Sequence, residues 1–265
     1  MVIKVMTWNV LYGFHKYSED MKRPKLETER LECAKAVVEK ENPDILVLTE
    51  ACFAMHNSYR EVLDYKREFK FPYAAYGQWQ DEWGNMVLSK YPLTSEIKKA
   101  GWRAMLKTHI SIDDKVLHLD VIHPAPAEID ASKIAGYHQA LGPRETPYIL
   151  TGDFNALSDE DKYDKKKLVK AFKEFDKFAE ESVTRLLDIS FIPWLRKTKL
   201  IDAMPLKERK PTIPTSLISK DKLSAMRLDY FFVDEDVDVI SAKTIYNVNT
   251  EKASDHYPIC MTIKI

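Results

Sequence analysis

Acidic, amide and histidine side chains lie at the ends of apolar segments that are far apart in this chain. Each segment has the length and composition of a β-strand. The bordering residues are Asn9 after residues 2–8, Glu50 after 45–49, His123 after 117–122, Asp153 and Asn155 after 148–152, and Asp255 and His256 before 258–263. Oxygen ligands together with two histidines are suited to binding a hard metal ion and a phosphate.

The ligand types favour particular metals. Oxygen donors without cysteine select Mg²⁺, Mn²⁺ or Ca²⁺ over softer ions, and Mg²⁺ needs only one or two carboxylates besides water and a substrate phosphate. The cysteines Cys33, Cys52 and Cys260 are far apart and form no CxxC pair, so neither a zinc site nor a disulfide framework is indicated. The sequence also lacks a GxxxxGK[ST] phosphate loop, an HExxH motif and a GxSxG elbow.

These residues can meet only if the strands end on one edge of a sheet. The strand before His123 has Leu117, Leu119 and Val121 on one face, and the parity of His123 points it to that same face. Helices are predicted near residues 27–41 and 130–141, and a hairpin is predicted to turn at Asp113 and Asp114. Strands alternating with helices indicate an α/β protein.

Composition limits the possible functions. The chain has 265 residues with 45% hydrophobic and 31% charged content, which predicts one globular domain over 1–265 with a helical insertion at about 159–200. The net charge of −1 argues against a broad basic surface, so nucleic acid must bind through a local patch. We expect a cytoplasmic location, because no membrane span, signal segment or disulfide pattern is evident. No obligate protein partner is indicated.

Two loops leave alternatives open. Trp79 and Trp83, in the aromatic segment 53–83, are interpreted as core residues or as a stacking platform for bases. In the insertion, one amphipathic helix is predicted through residues 168–186, and its lysines between 162 and 177 form a solvated face or an arm that steers phosphate substrates. Residues 191–195 pack the insertion onto the core, or form a lid or a lipid anchor.

Five short motifs occur in an order that resembles the endonuclease/exonuclease/phosphatase superfamily. They are Thr7-Trp8-Asn9-Val10, the segment 43–50 ending in Thr49-Glu50, Gly152-Asp153-Phe154-Asn155, the segment 227–233 with Leu228-Asp229-Tyr230, and Ser254-Asp255-His256. The segment 84–92, which contains Asn85, is similar to an internal strand of that family. The resemblance extends over nearly the whole chain.

The resemblance implies a four-layer α/β sandwich, in which two packed mixed β-sheets are flanked by helices and carry the site at one rim. It also implies a role for each matching residue. Glu50 is the principal Mg²⁺ or Mn²⁺ ligand, assisted by Asn9 and, directly or through water, by Asp255. Asp153 orients or deprotonates the attacking water. Asn155 and His123 hold the phosphate, His256 pairs with Asp229, and Asn85 and Arg103 contact the substrate.

The chain departs from the family pattern at two places. Cys52 stands where the branch that cleaves DNA at abasic sites has a lysine, and Val121-Ile122 stands where Asn-Thr often precedes the histidine. We therefore expect a metal-dependent phosphoesterase that cleaves phosphodiesters, with nuclease activity favoured. A phosphatase or diesterase for a small phosphorylated molecule or phospholipid head group is the alternative. A catalytically silent binding module is the least favoured reading.

Overall fold

The computed structural model describes residues 1–16, 25–53, 64–78, 83–174, 176–219 and 222–265. Within them the chain forms two six-stranded β-sheets. The first sheet has the order β11 (Asp238–Thr244), β12 (Ile259–Lys264), β1 (Val2–Asn9), β2 (Ile45–Phe53), β4 (Trp83–Ser89) and β3 (Tyr73–Gly77). The second has the order β5 (Leu93–Ala100), β6 (Arg103–Ile112), β7 (Lys115–Ile122), β8 (Tyr148–Asp153), β10 (Asp229–Val233) and β9 (Ile201–Asp202).

Both sheets are mixed. In the first, β1 runs parallel to β2, and in the second, β7 runs parallel to β8, while the other neighbouring strands are antiparallel. Each parallel pair is joined through a helix, as parallel strands require. The described helices are α1 (Thr28–Glu41), α2 (Tyr65–Phe69), α3 (Asp130–Leu141), α4 (Lys165–Phe172), α5 (Ala179–Leu186), α6 (Phe191–Lys197) and α7 (Thr250–Ala253).

The layers follow the alternation of apolar residues along the strands. Ile45 and Val47 of β2 face the second sheet, in the same core as Leu117 and Leu119 of β7. Residues of opposite parity, such as Leu46, pack under α1 on the outer face. On the outer side of the second sheet, α3 and α6 cover a third apolar layer. This arrangement confirms the predicted sandwich of two sheets flanked by helices.

The predicted helices near 27–41 and 130–141 are present as α1 and α3, and the hairpin turns at Asp113 and Asp114 between β6 and β7. The single helix predicted through 168–186 is wrong, because α4 and α5 are separate. Asp176 interrupts the helix: its carboxylate accepts the backbone N–H of Phe178 at 2.7 Å and the hydroxyl of Ser182 at 2.6 Å. These contacts start α5 afresh.

The predictions about the loops have different outcomes. Phe191, Ile192 and Leu195 of α6 are buried against the second sheet, so this segment packs the insertion onto the core as predicted. Trp79 and the side chain of Trp83 lie outside the described residues, and the prediction for them stays a prediction. No helix in the described part of the chain is long and apolar enough to cross a membrane.

Candidate active site

The polar residues predicted at strand ends meet at one rim of the sandwich. Strand pairing aligns Asn9 with Thr49, the residue before Glu50, and aligns Asp229 with Asp153 across the second sheet. His123 directly follows β7, whose last residue pairs with Gly152. The segment that precedes β12 is tied to β1, since Ser254 Oγ donates to the carbonyl of Asn9 at 2.7 Å. Both sheets therefore contribute to one site.

Glu50 lies at a distortion of β2. Its φ is +56°, a left-handed conformation that costs energy for a residue with a side chain, and the pairing register with β4 shifts between Thr49 and Phe53. A bulge of this kind changes the direction of a side chain at a strand end. The Glu50 carboxylate accepts the N–H of Tyr12 at 2.9 Å and lies 3.2 Å from the amide nitrogen of Asn9.

Gly152 allows β7 and β8 to approach closely just below the site. A Cβ at this position would lie 2.0 Å from the carbonyl oxygen of Ile122, so no larger residue fits. The backbone φ of Gly152 is +134°, which also favours glycine. This approach brings His123 Nε2 to 3.5 Å from the Oδ2 of Asp153.

Asn9 links the two sheets through its amide group. Its Nδ2 donates to Asp153 Oδ2 at 3.0 Å and lies 3.2 Å from Glu50 Oε1, while its Oδ1 accepts the N–H of Leu11 at 3.0 Å. In this arrangement the amide nitrogen faces the carboxylates. The role of Asn9 as a metal ligand stays a prediction, and its observed contacts orient Glu50 and Asp153.

Asp153 is almost completely buried, and its two oxygens have different partners. Oδ1 accepts the N–H of Asn155 at 2.9 Å, whereas Oδ2 faces Asn9, His123 and His256. Burial raises the pKa of Asp153, and the charge of Asp229 adds to this, although the cation of His256 opposes it. A buried carboxylate of raised pKa, directed at the centre of a rim, has the character of a general base.

His256 is held by Asp229. Its Nδ1 lies 2.8 Å from Asp229 Oδ2, which leaves Nε2 directed towards Asp153 Oδ2 at 3.7 Å. Burial alone lowers the pKa of His256, but the carboxylates of Asp229, Asp153 and Asp255 outweigh burial and hold the pKa well above its ordinary value. His256 is therefore a cationic donor at neutral pH.

The pKa of His123 is shifted in the opposite direction to that of His256. The Nη1 atom of Arg103 lies 2.8 Å from its Nδ1 and 3.0 Å from its Nε2. Burial, and then the positive charges of Arg103 and His256, hold the pKa of His123 well below its ordinary value. The site thus contains one neutral and one cationic imidazole within a few ångströms of the same carboxylate.

Asn155 lies in a left-handed turn with φ of +43° directly after β8. Its Nδ2 donates to the carbonyl of Pro124 at 2.9 Å, so it connects the turn after β8 to the turn after β7. Its own carbonyl accepts Lys133 Nζ at 2.6 Å. Asn155 is half-buried, and its partner Pro124 is the residue after His123. A contact of Asn155 with phosphate stays a prediction.

The residues predicted to contact the substrate have different positions. Arg103 begins β6 at the rim and contacts His123. Asn85 lies between the sheets, is 1% exposed and donates to the carbonyl of Ala104 at 3.2 Å, next to Arg103. Its observed contact fixes the start of β6, and a contact with substrate stays a prediction.

The donor set at the rim fits a hard divalent cation. Burial and then the nearby carboxylate of Asp255 raise the pKa of Glu50, which shows that the two negative charges are close enough to repel each other. A cation between them removes this repulsion. The described residues contain no cluster of three or more His, Cys, Asp or Glu arranged to hold a metal. Mg²⁺ needs only one or two carboxylates and completes its coordination with water and phosphate.

Two supporting residues were not found by sequence reasoning. Arg30 of α1 is 5% exposed and donates to the carbonyls of Val10 and Leu11 at 2.9 and 2.8 Å, which fixes the loop after Asn9. Lys133 of α3 is 2% exposed and holds the carbonyl of Asn155. Both residues lie on the buried face of their helix. A basic residue on a helix face that is otherwise predicted to be apolar is the sequence signal that identifies them.

A known family and known structures are similar to this chain. The model of the Endonuclease/Exonuclease/phosphatase family matches residues 6–256. No functionally curated protein matches the sequence significantly.

Three solved structures illustrate the shared fold. An AP endonuclease from Archaeoglobus fulgidus has 14% identity and a TM-score of 0.66, with 99% of this chain and 100% of that chain covered. TDP2 from D. rerio, complexed with single strand DNA product, has 16% identity and a TM-score of 0.63, with 100% and 99% covered. A variant of the 3′ phosphatase NExo from Neisseria, bound to a product DNA hairpin, has 15% identity and a TM-score of 0.63, with 99% and 100% covered.

Proposed function

Because the chain belongs to the Endonuclease/Exonuclease/phosphatase family, and its members act on phosphoester bonds, we propose that it is a divalent-metal-dependent phosphodiesterase that cleaves nucleic acid. One observation carries this proposal. Asp153 Oδ2 is the point on which Asn9, His123 and His256 converge, at 3.0, 3.5 and 3.7 Å. A carboxylate oxygen with donors on several sides is suited to hold a water beside a phosphate.

Asp153 is the proposed base. Its Oδ1 is occupied by the N–H of Asn155, so Oδ2 is the atom that accepts a proton from the attacking water. Asn9 fixes this oxygen from the first sheet, which keeps it aimed at the rim. Positioning of the base by both sheets favours in-line attack, because the water is held in one direction relative to the phosphorus.

The phosphate is proposed to bind between the histidines. His256 uses Nδ1 for Asp229 and has Nε2 left for a non-bridging oxygen. His123, Asn155 and Arg103 border the same space and supply further donors. Glu50 and Asp255 would hold a divalent ion, which would neutralise phosphate charge. These fixed donors stabilise the charge that develops on the equatorial oxygens.

Nucleic acid is favoured as the substrate because two relatives of the same fold are described with DNA products, TDP2 and NExo. The positive charge near this rim, at Arg103 and in β5 and β6, is local, as the net charge of −1 requires.

The proposal is tested by incubating purified protein with single-stranded DNA, single-stranded RNA, duplex DNA, inositol phosphates and phospholipids, each with Mn²⁺, with Mg²⁺ and with EDTA. We expect cleavage of a nucleic acid that depends on the metal and is lost in Asp153→Asn. Release of phosphate or head group from the small substrates alone, or equal cleavage in EDTA, contradicts it.

A monoesterase or small-molecule diesterase is the second candidate. The near-neutral charge and Cys52, at the position where the abasic-site branch has a lysine, favour it. The same screen separates the two candidates, because a small-substrate enzyme hydrolyses inositol phosphates or phospholipids faster than oligonucleotides of any length.

A further inference from the structure

A tryptophan at the rim has no role in the chemistry proposed above. Trp102 is 60% exposed, although tryptophan is usually well buried. It lies in the turn between β5 and β6, where Ala100 pairs with Arg103. Since the Arg103 guanidinium reaches His123, this turn borders the candidate active site directly.

The turn that carries Trp102 is held firmly against α3. A Cβ on Gly101 would lie 2.3 Å from Glu128 Oε1, and a Cβ on Gly136 would lie 2.1 Å from the backbone nitrogen of Gly101. Glu128 is itself buried and accepts the hydroxyl of Ser132 at 2.8 Å. Two glycines therefore let the turn and the helix touch backbone to backbone, and the indole extends from a fixed base. A fixed aromatic side chain binds with little loss of conformational entropy.

A cavity of about 870 Å³ opens beside Trp102, between the β5–β6 hairpin and α3. Three lysines and one acid supply its charged lining, Lys98, Lys99, Lys107 and Glu96, so the cavity is positively charged overall. Lys107, which lines the cavity, is four residues along β6 from Arg103, so the lining extends roughly 13 Å away from the rim at ~3.3 Å per residue. The exposed side chain of Gln139 on α3 adds a polar group on the opposite wall.

We infer that this cavity binds a nucleotide of single-stranded nucleic acid next to the scissile phosphate, with its base stacked on Trp102 and its backbone phosphate attracted by the lysines. This inference rests on the proposed function. Base stacking on an exposed indole and backbone contact with lysines are the two elements of single-strand recognition. In a duplex both faces of each base are already covered, so an unpaired base is required.

The inference is tested by binding rather than by turnover. The anisotropy of a labelled single-stranded oligonucleotide is titrated in EDTA with the wild type, Trp102→Ala and Trp102→Phe. A second oligonucleotide of equal length carries abasic tetrahydrofuran units. Trp102→Ala is expected to weaken binding of the base-containing strand by about 5-fold to 150-fold, with little effect on the abasic strand. Trp102→Phe is expected to retain most of the affinity, because phenylalanine also stacks.

Tyr73→Ala is the matched control. Tyr73 is an aromatic residue with 40% exposure, but it starts β3 at the end that pairs with Ser89, opposite the rim. Its substitution should leave both affinities unchanged. With metal present, Trp102→Ala should raise the KM for the base-containing strand and leave kcat nearly unchanged.

Three results with nucleic acid overturn the inference: an unchanged affinity in Trp102→Ala, an equal loss for base-containing and abasic strands, or an equal dependence on Trp102 for duplex DNA. Loss of binding to anionic phospholipid vesicles without loss of oligonucleotide binding also overturns it, because it assigns Trp102 to a lipid surface. Binding in EDTA is independent of catalysis. Stacking without cleavage therefore refutes only the proposed function, and cleavage without stacking refutes only this inference.

Discussion

Two buried charged clusters of this protein differ in how their charges are balanced. In the arginine cluster, which comprises Asp161, Asp202, Arg209 and Arg227, each acid is paired with an arginine, and Arg209 also pairs with Glu160 at 2.6 Å. Arg227 lies 2.8 Å from both Asp161 and Asp202, and Arg209 lies 3.3 Å from Asp202. The acids raise the pKa of Arg227 although burial lowers it, so its charge is satisfied within the protein.

The rim cluster is unbalanced. Its acids are Glu50, Asp153, Asp229 and Asp255, and its bases are Arg103 and His256, because His123 is neutral. When all the acids are ionised, two negative charges remain, which is the charge that one divalent cation neutralises. Buried pairing in the arginine cluster contributes to structure. The surplus of negative charge at the rim is suited to binding a cation, and it is maintained at a cost in stability.

The largest expected effect separates activity from stability. In Asp153→Asn, kcat falls by about 10²-fold to 10⁴-fold, because the base is lost. The free energy of unfolding is unchanged or higher, since a buried carboxylate of raised pKa is replaced by a neutral amide. Single-turnover hydrolysis and urea unfolding measure the two effects. A variant that loses stability and activity in parallel would contradict the distinction between the clusters.

The opposite pattern is expected in the arginine cluster. Asp202→Ala removes the acid that Arg227 and Arg209 share, so that only Asp161 and Glu160 remain as their partners. The free energy of unfolding is expected to fall by about 3 kcal/mol. Below the unfolding transition, kcat should be unchanged, because in the described part of the chain no hydrogen bond or ion pair joins this cluster to the acids and bases of the rim. Urea unfolding and initial rates at low temperature measure this. If Asp202→Ala were as inactive as Asp153→Asn while fully folded, the arginine cluster would have to be counted as part of the site.

Asp120 is a buried acid outside the rim, and it tests whether burial alone makes an acid contribute to activity. It lies on the outer face of the second sheet, accepts the Tyr148 hydroxyl at 2.7 Å and is 3.8 Å from Lys107. Burial raises its pKa to about 6, against the partial opposition of Lys107 and Tyr148. The folded state therefore binds this proton more tightly than the unfolded state, and stability falls as pH rises from the ordinary aspartate value towards 6.

Asp120→Asn removes that pH dependence. Relative to the wild type, the variant should gain about 3 kcal/mol of stability between roughly pH 4 and pH 7, with hydrolysis unaffected. Chemical unfolding at both pH values measures the gain. If the variant and the wild type had the same free energy of unfolding at both pH values, burial would not oppose the ionisation of Asp120.

The smallest expected effect is stabilisation by the metal. At a Mn²⁺ concentration about 100-fold above Kd, the wild type should gain about 2.7 kcal/mol, seen as a rise in Tm of several degrees. The rise in Tm should be absent in Glu50→Gln and present in Asp161→Asn, which removes an acid from the arginine cluster. An equal rise in all three proteins would place the metal elsewhere.

The sequence predicted much of the site because strand ends can be read from alternation and from the motifs beside them. Asp153, Asp229 and His256 meet as expected, since the antiparallel pairing of β8 and β10 aligns the first two. The burial of Asn85 could not be predicted, because it depends on the packing of one sheet on the other. Arg30 and Lys133 were missed because a cation on an amphipathic helix resembles a solvated residue.

The sequence was less informative at the edges of the sheets. The strand β5 was not predicted: its residues from Thr94 to Lys99 are exposed, so no apolar alternation marks it. The strand β3 and the helix α2 were missed for a similar reason. The aromatic residues in segment 53–83 hide the regular spacing of apolar residues that predicts a strand or a helix. Tertiary contacts define these elements, and Gly77 illustrates this, because a Cβ there would lie 3.1 Å from both Ile97 and Leu106.

Hydrolysis of a single-stranded oligonucleotide across a Mn²⁺ titration, with wild type and Asp153→Asn purified side by side, tests the central claim most directly. We predict that wild-type cleavage saturates with Mn²⁺ and stops in EDTA, and that Asp153→Asn still gains thermal stability from Mn²⁺ but releases no product. Cleavage by the wild type in EDTA, or cleavage by Asp153→Asn at the wild-type rate, would contradict a metal-dependent phosphodiesterase at this rim.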